Sequence, residues 1–133
     1  MKQGEEKGRS WGNKINKDGM LHELMLCLPT QKGLTVVKLD EIIYCEAQRS
    51  YTLFWLADNR SELISKPLFE YDRLLSGGTF CRIHKSYLIN IMHVREYLRG
   101  EGGDVIMTNG KKIEVSRRKK RDFLDKIKAH FKY

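Results

Sequence analysis

The chain has 133 residues, 41% of them apolar and 32% charged, which suits one domain with one core and little else. No run approaches the roughly 18 apolar residues of a membrane span, and no charged-then-apolar leader opens the sequence, so it reads as soluble and cytoplasmic with no membrane partner. The net charge of +8 is unevenly placed: residues 1–79 balance 11 Lys/Arg against 11 Asp/Glu, whereas residues 80–133 carry 14 against 6, a distribution that suits a polyanionic partner.

Residues 1–22 are rich in Gly, Lys, Glu and Asn without periodicity, and read as a linker or disordered tail. From Leu24 the pattern changes. Leu24–Leu28, Leu34–Leu39, Ile42–Ala47, Tyr51–Leu56 and Ser61–Ser65 are short runs separated by turn signals, among them Ala57-Asp58-Asn59-Arg60, and they predict paired strands. Asp40-Glu41 stands before an apolar strand and reads as a turn. Lys66-Pro67 opens a helix with Ser65 as its cap; Leu68, Tyr71 and Leu75 keep helical spacing, and Gly77-Gly78 ends it. Phe80–Ile91 reads as a strand passing into irregular structure. Val94–Arg99, Asp104–Thr108 and Lys111–Val115 are further strands, turned by Gly100–Gly103 and by Asn109-Gly110, a strong hairpin signal. Ser116 then caps a last helix, whose apolar stripe Phe123, Ile127 and Phe131, with Leu124, docks on the sheets. The fold class is therefore mostly β, antiparallel, with short helices and the C-terminal helix packed on the sheets.

Three polar clusters stand out. With Ser116 as N-cap, Arg117, Arg118, Lys119 and Lys120 fill a helical first turn and Arg121 follows, a cation run at the end that already carries about half a positive charge. Phosphate would compensate that clash; a solvated, salt-screened run is the plain alternative. Arg82, Lys85 and Ser86 can serve phosphates or base edges, while His84 between them reads as an imidazole bonded to backbone. Gln48-Arg49-Ser50 lies between two strands, where a hairpin loop places donors in a groove, although most polar loops are merely wet. The aromatics Tyr44, Tyr51, Phe54 and Trp55 read as core rather than as stacking platforms. Cys27, Cys45 and Cys81 are odd in number and set in apolar stretches, so they read as reduced, mostly buried thiols. Cys81-x-x-His84 is a metal half-site without a matching pair, and neither a phosphate loop nor a nucleophile elbow occurs. No cofactor and no enzymatic activity are expected. A single-stranded nucleic-acid or RNA-binding β module and a basic protein-interaction domain stay open as alternatives.

The stretches LTVVKLDEIIYCEAQRSYTLFWL, SKPLFEYDRLL, FCRIHKSYLINIMHV and GKKIEVSRRKKRDFLDKI, in that order, closely resemble the LytTR DNA-binding domain over about residues 23 to 131, within a domain expected to span 23–133. The phrase Phe80-x-Arg82-Ile83-His84-Lys85-Ser86-Tyr87-Leu88-Ile89-Asn90 together with Val115-Ser116-Arg117-Arg118 carries the resemblance. It implies an elongated antiparallel β fold that lays loops, not a recognition helix, into successive major grooves of duplex DNA. Gln48-Arg49-Ser50 then falls in one groove-entering loop, Arg118 with Arg117 and Lys119 in another, and Lys85 with Ser86 at the central contact. Some members carry Asn at the Lys85 position, and a base-reading His of the family's first loop has no match in Gln48–Ser50. The resemblance further implies homodimers on paired or repeated sites, and a phosphorylatable receiver domain that is absent from this chain, in the manner of a two-component response regulator or a stand-alone relative.

Overall fold

The computed structural model describes residues 14–15, 21–22 and 24–132. The expected tail therefore lies mostly outside the described residues; the pieces of it that are described, β1 (Lys14–Ile15) and β2 (Leu21–His22), pair antiparallel with each other. The remainder runs β3 (Met25–Thr30), β4 (Gly33–Lys38), a 3-10 turn over Leu39–Glu41, β5 (Ile42–Gln48), β6 (Tyr51–Leu56), β7 (Arg60–Ile64), α1 (Leu68–Leu75), β8 (Phe80–His84), β9 (Tyr87–Asn90), a 3-10 turn over Ile91–His93, β10 (Val94–Leu98), β11 (Asp104–Met107), β12 (Lys112–Glu114), a 3-10 turn over Arg117–Lys119 and α2 (Lys120–His130).

The central sheet has five strands in the order β7-β6-β5-β9-β8, each neighbouring pair antiparallel. Both of its faces are covered, which is why β5 reads as an unbroken apolar run: Ile42 to Cys45 are all buried. Against one face lie the β3–β4 hairpin and α1, burying Leu28, Val37, Phe54, Ile64, Leu68, Tyr71 and Leu75. Against the other lie the β10-β11-β12 sheet and α2, burying Ile83, Ile89, Val105, Met107, Ile113 and Phe123. A register shift between Ile42 and Tyr44 puts Ile43 and Tyr44 on the same side, with Ile42 and Cys45 on the other. Asn90 is buried at the sheet end with its amide spent: Nδ2 donates to the Ile42 carbonyl at 3.0 Å, and Oδ1 accepts from Thr79 Oγ1 at 2.9 Å and from the Met92 N–H at 3.1 Å.

Several expectations need correction. Phe80–Ile91 is not a strand fading into irregular structure but a hairpin, β8 and β9 joined at Lys85-Ser86. Ser65 does not cap α1; Pro67 holds that position, and no side chain bonds the helix start. Ser116 does not cap α2 either, because Arg117–Lys119 form a separate 3-10 turn and Lys119 precedes the helix. Two cations, Lys120 and Arg121, therefore occupy the first α-helical turn, and Asp122 sits beside them as the acid that position favours. Phe131 lies past the helix end and is 37% exposed, so the docked stripe is Phe123, Leu124 and Ile127. Cys27 is exposed while Cys45 and Cys81 are buried, and Tyr51 is exposed at the sheet end while Tyr44 and Phe54 are core.

Candidate nucleic-acid interface

Because the five strands alternate in direction, their turns collect at two ends. One end carries the exit of β7 at Ser65-Lys66, the β5–β6 turn at Arg49-Ser50 and the β8–β9 turn at Lys85-Ser86. The third cluster reaches the same end through the backbone: the Ser116 N–H donates to the Ile83 carbonyl at 2.8 Å, which sets the Arg117–Lys119 turn beside β8. Three clusters separated by about 35 residues each in sequence thus share one rim.

The β5–β6 connection has two residues, since Gln48 pairs with Tyr51. Gln48, Arg49 and Ser50 are all exposed. Arg49 has φ +60°, a conformation normally left to glycine. Its guanidinium is thus presented from the tip of a short, stiff hairpin.

The β8–β9 turn is tied from three sides. Arg82 donates from Nε to the His84 carbonyl at 2.9 Å, from Nη2 to the Lys85 carbonyl at 2.6 Å and from Nη1 to Asp72 Oδ2 on α1 at 3.0 Å. The Ser86 N–H donates to His84 Nδ1 at 3.0 Å, so that nitrogen must be unprotonated, and the Ser86 carbonyl accepts from the Ala47 N–H at 2.8 Å. Lys85 is left exposed by this arrangement and Ser86 half-buried. Arg82 and His84 serve here as struts, as the sequence implied for His84; Asp72, the anchor of Arg82 on α1, carried no signal in the sequence.

Between the two basic turns opens a cavity of about 400 Å³ lined by Asp72, Arg82, His84, Lys85, Ser116, Arg118 and Lys119. Arg118 is exposed and Lys119 half-buried on its wall. Arg117 turns away, with Nη1 3.2 Å from Glu101 Oε1; both side chains are mostly exposed, so the pair contributes little. Arg121 is exposed on α2 and does not line the cavity. The Gly100–Gly103 loop braces the same turn: Lys120 Nζ donates to the Gly100 carbonyl at 3.2 Å, the Val115 N–H to the Gly103 carbonyl at 2.9 Å, and Tyr97 Oη to the Gly102 carbonyl at 2.7 Å. A Cβ on Gly102 would strike the Val115 carbonyl and one on Gly103 the Tyr97 ring, so both positions require glycine.

Two buried thiols lie behind this rim. Burial pushes Cys45 well above its ordinary value, and burial also raises Cys81, where Lys126 partly offsets it; both stay protonated at neutral pH and unreactive. Among the described residues, no three His, Cys, Asp or Glu side chains gather as a metal site, and no helix is long and apolar enough to cross a membrane.

A family model described as "LytTr DNA-binding domain" matches residues 32–128. "Transcriptional regulatory protein LytR" of Staphylococcus aureus (strain MW2) is 32% identical over 90 residues, which cover 66% of this chain and 36% of that protein. "Sensory transduction protein LytR" of Staphylococcus haemolyticus (strain JCSC1435) is 28% identical over 97 residues, 71% of this chain and 38% of its own length. The chain thus matches little more than a third of the length of these relatives. A solved structure, the LytTr DNA-binding domain of a putative methyl-accepting/DNA response regulator from Bacillus cereus, has the same fold, with a TM-score of 0.67 at 23% identity over 77% of this chain and 95% of that one. With the family model running from the tip of the β3–β4 hairpin through the basic turn into α2, the chain belongs to the LytTr DNA-binding domain family.

Proposed function

We propose that the chain binds duplex DNA sequence-specifically to regulate transcription, and that its binding domain begins at about residue 23 with residues 1–22 as linker. The observation that carries this reading is the gathering of the three basic clusters on one rim of the central sheet. Arg49 and Arg118 are the base readers, each able to donate a bidentate pair to guanine O6 and N7. Gln48 and Ser50 flank the first. Lys85 and Ser86 make the central contact, and Arg117, Lys119 and Arg121 hold phosphates. Arg82 acts through the turn that it ties, as a positioning residue.

In this reading the chain is the output module of a response regulator or a stand-alone regulator. It acts as a homodimer on paired or repeated sites, and a receiver domain supplies its signal where one is present. A single-stranded reading draws on one observation, the 44% exposure of Tyr51 at the β5–β6 tip, where a base could stack.

The test is selection from a randomised duplex pool, followed by fluorescence-anisotropy titration over a range of salt. An enriched motif repeated at about one helical turn supports the reading. Binding without enrichment reduces the rim to a basic surface, and preference for a single-stranded oligonucleotide favours the alternative. Arg118→Ala should lose about 1–3 kcal/mol of discrimination at one base position. An equal loss on every sequence would make Arg118 a phosphate contact.

A further inference from the structure

The rim extends further than the basic half of the sequence. The β3–β4 hairpin packs on one face of the sheet with β3 against β7, and its tip at Gln31-Lys32 comes to the same end of the sheet. A cavity of about 600 Å³ separates that tip from Tyr51, Glu62 and Ser65 on β6, β7 and the β7 exit. The exit itself is pinned: Thr52, fully buried, donates from Oγ1 to the Lys66 carbonyl at 2.7 Å. Lys66 is therefore held next to the β5–β6 turn, with Lys32 on the far side of the cavity. Both lysines are exposed, and neither ammonium has a hydrogen-bond or ion-pair partner among the described residues. Among the described residues, Glu62 is the one acid on the cavity wall.

We propose that Lys32 and Lys66 form a second phosphate-binding flank, which holds the DNA backbone adjoining the groove entered by the β5–β6 turn. This rests on the duplex-DNA reading above and lengthens the footprint it implies. From β8 to β7 the sheet is four strand spacings wide, about 19 Å. A duplex passes roughly 11 phosphate charges over such a length. Arg117 and Lys119 hold backbone on one side of the sheet, and the two lysines hold it on the other, so the reader Arg49 and the central contact at Lys85 lie between two anchored points. Loose, unpaired ammonium groups suit this work, because phosphate needs charge and not fixed geometry. The charge count missed the flank because residues 1–79 are neutral overall; only the packing of the β3–β4 hairpin on the sheet brings these two cations to one end.

The test uses the whole chain and the duplex motif recovered by selection. The double variant K32Q/K66Q should lower the slope of log K against log salt by about two, near 0.9 for each phosphate contact. The base motif should stay the same. Trimming the duplex on the β7 side should weaken the parent chain and leave the variant unaffected. A control, K128Q/K132Q, removes the same charge beyond Lys126, whose Nζ bonds the Phe80 carbonyl at the opposite end of β8; its slope should match the parent. An unchanged slope in K32Q/K66Q, or a fall equal to that of the control, overturns the flank while leaving the duplex reading intact. Failure of the parent chain to bind duplex DNA at all removes the duplex reading and the flank with it.

Discussion

Arg49 combines two demands that conflict. Its φ of +60° places an arginine where glycine is favoured, at a cost of roughly 1–2 kcal/mol. Strain of this kind persists where surrounding structure over-determines it and function uses it. Arg49→Gly should therefore fold at least as well as the parent, gaining up to about 1 kcal/mol by urea denaturation after the extra chain entropy of glycine is counted. It should at the same time lose base selectivity. Loss of stability together with retained selectivity would show that Arg49 serves the hairpin and not the DNA. Tyr71 is a second residue with a separable role. Its ring packs edge-on to Phe54 with centroids 4.7 Å apart, yet its hydroxyl is buried without a hydrogen-bond partner among the described residues. Tyr71→Phe should keep the ring contact and raise stability by about 1 kcal/mol, read as a shift in denaturation midpoint, with DNA binding unchanged. The types of these residues were legible in the sequence, as a polar loop residue and a helix-stripe aromatic. Their backbone strain and missing partner were not, because both depend on what surrounds them.

At the scale of elements, the knot around Arg82 decides where Lys85 and Ser86 point. One guanidinium spans β8, the turn and α1 through three donors, and lysine cannot reproduce that fork. Arg82→Lys keeps the charge, so a mere phosphate contact would tolerate it. As a positioning residue it should lower affinity for the selected motif about tenfold or more, with little change in the salt slope. A parent-like affinity, or a slope lowered by one, would return Arg82 to the interface. Most strands were legible from runs of five or six apolar residues between turn signals, and Asn109-Gly110 does turn a hairpin, with Gly110 at φ +90°. The β8–β9 turn was not legible, because FCRIHKSYLINI contains neither glycine nor proline. Side-chain and long-range backbone bonds from Arg82, His84 and Ala47 hold that turn instead. The boundary of α2 was likewise obscured, since a 3-10 turn and an α-helical turn share the same cation-rich composition.

Across the whole molecule, two buried phenols set an alkaline limit. Burial pushes Tyr44 up to about 12, with the Asn109 side chain pulling it down and Glu46 and Tyr87 adding to the rise. Burial also takes Tyr71 to about 12, reinforced by Cys45 and Glu70. An unfolded tyrosine ionises near about 10. The folded state thus keeps its full contribution from these groups below about pH 10 and loses it as pH rises toward about 12. Tyrosinate absorbance should show these two side chains titrating late and together with loss of the fold; smooth ionisation near pH 10 with the fold intact would contradict the burial account. The sequence alone determined the β class, most strands, both helices, the presence of three polar clusters and the family resemblance, because each follows from local periodicity, turn chemistry or short-range composition. Only the tertiary structure decided which clusters share a rim, that Arg82 is tied inward, and that Lys32 and Lys66 flank the same end. The physical reason is strand order, together with the packing of the β3–β4 hairpin on the sheet. Antiparallel pairing between β5 and β9 joins residues more than 40 positions apart, and a cation's neighbours are set by that pairing rather than by its place in the chain.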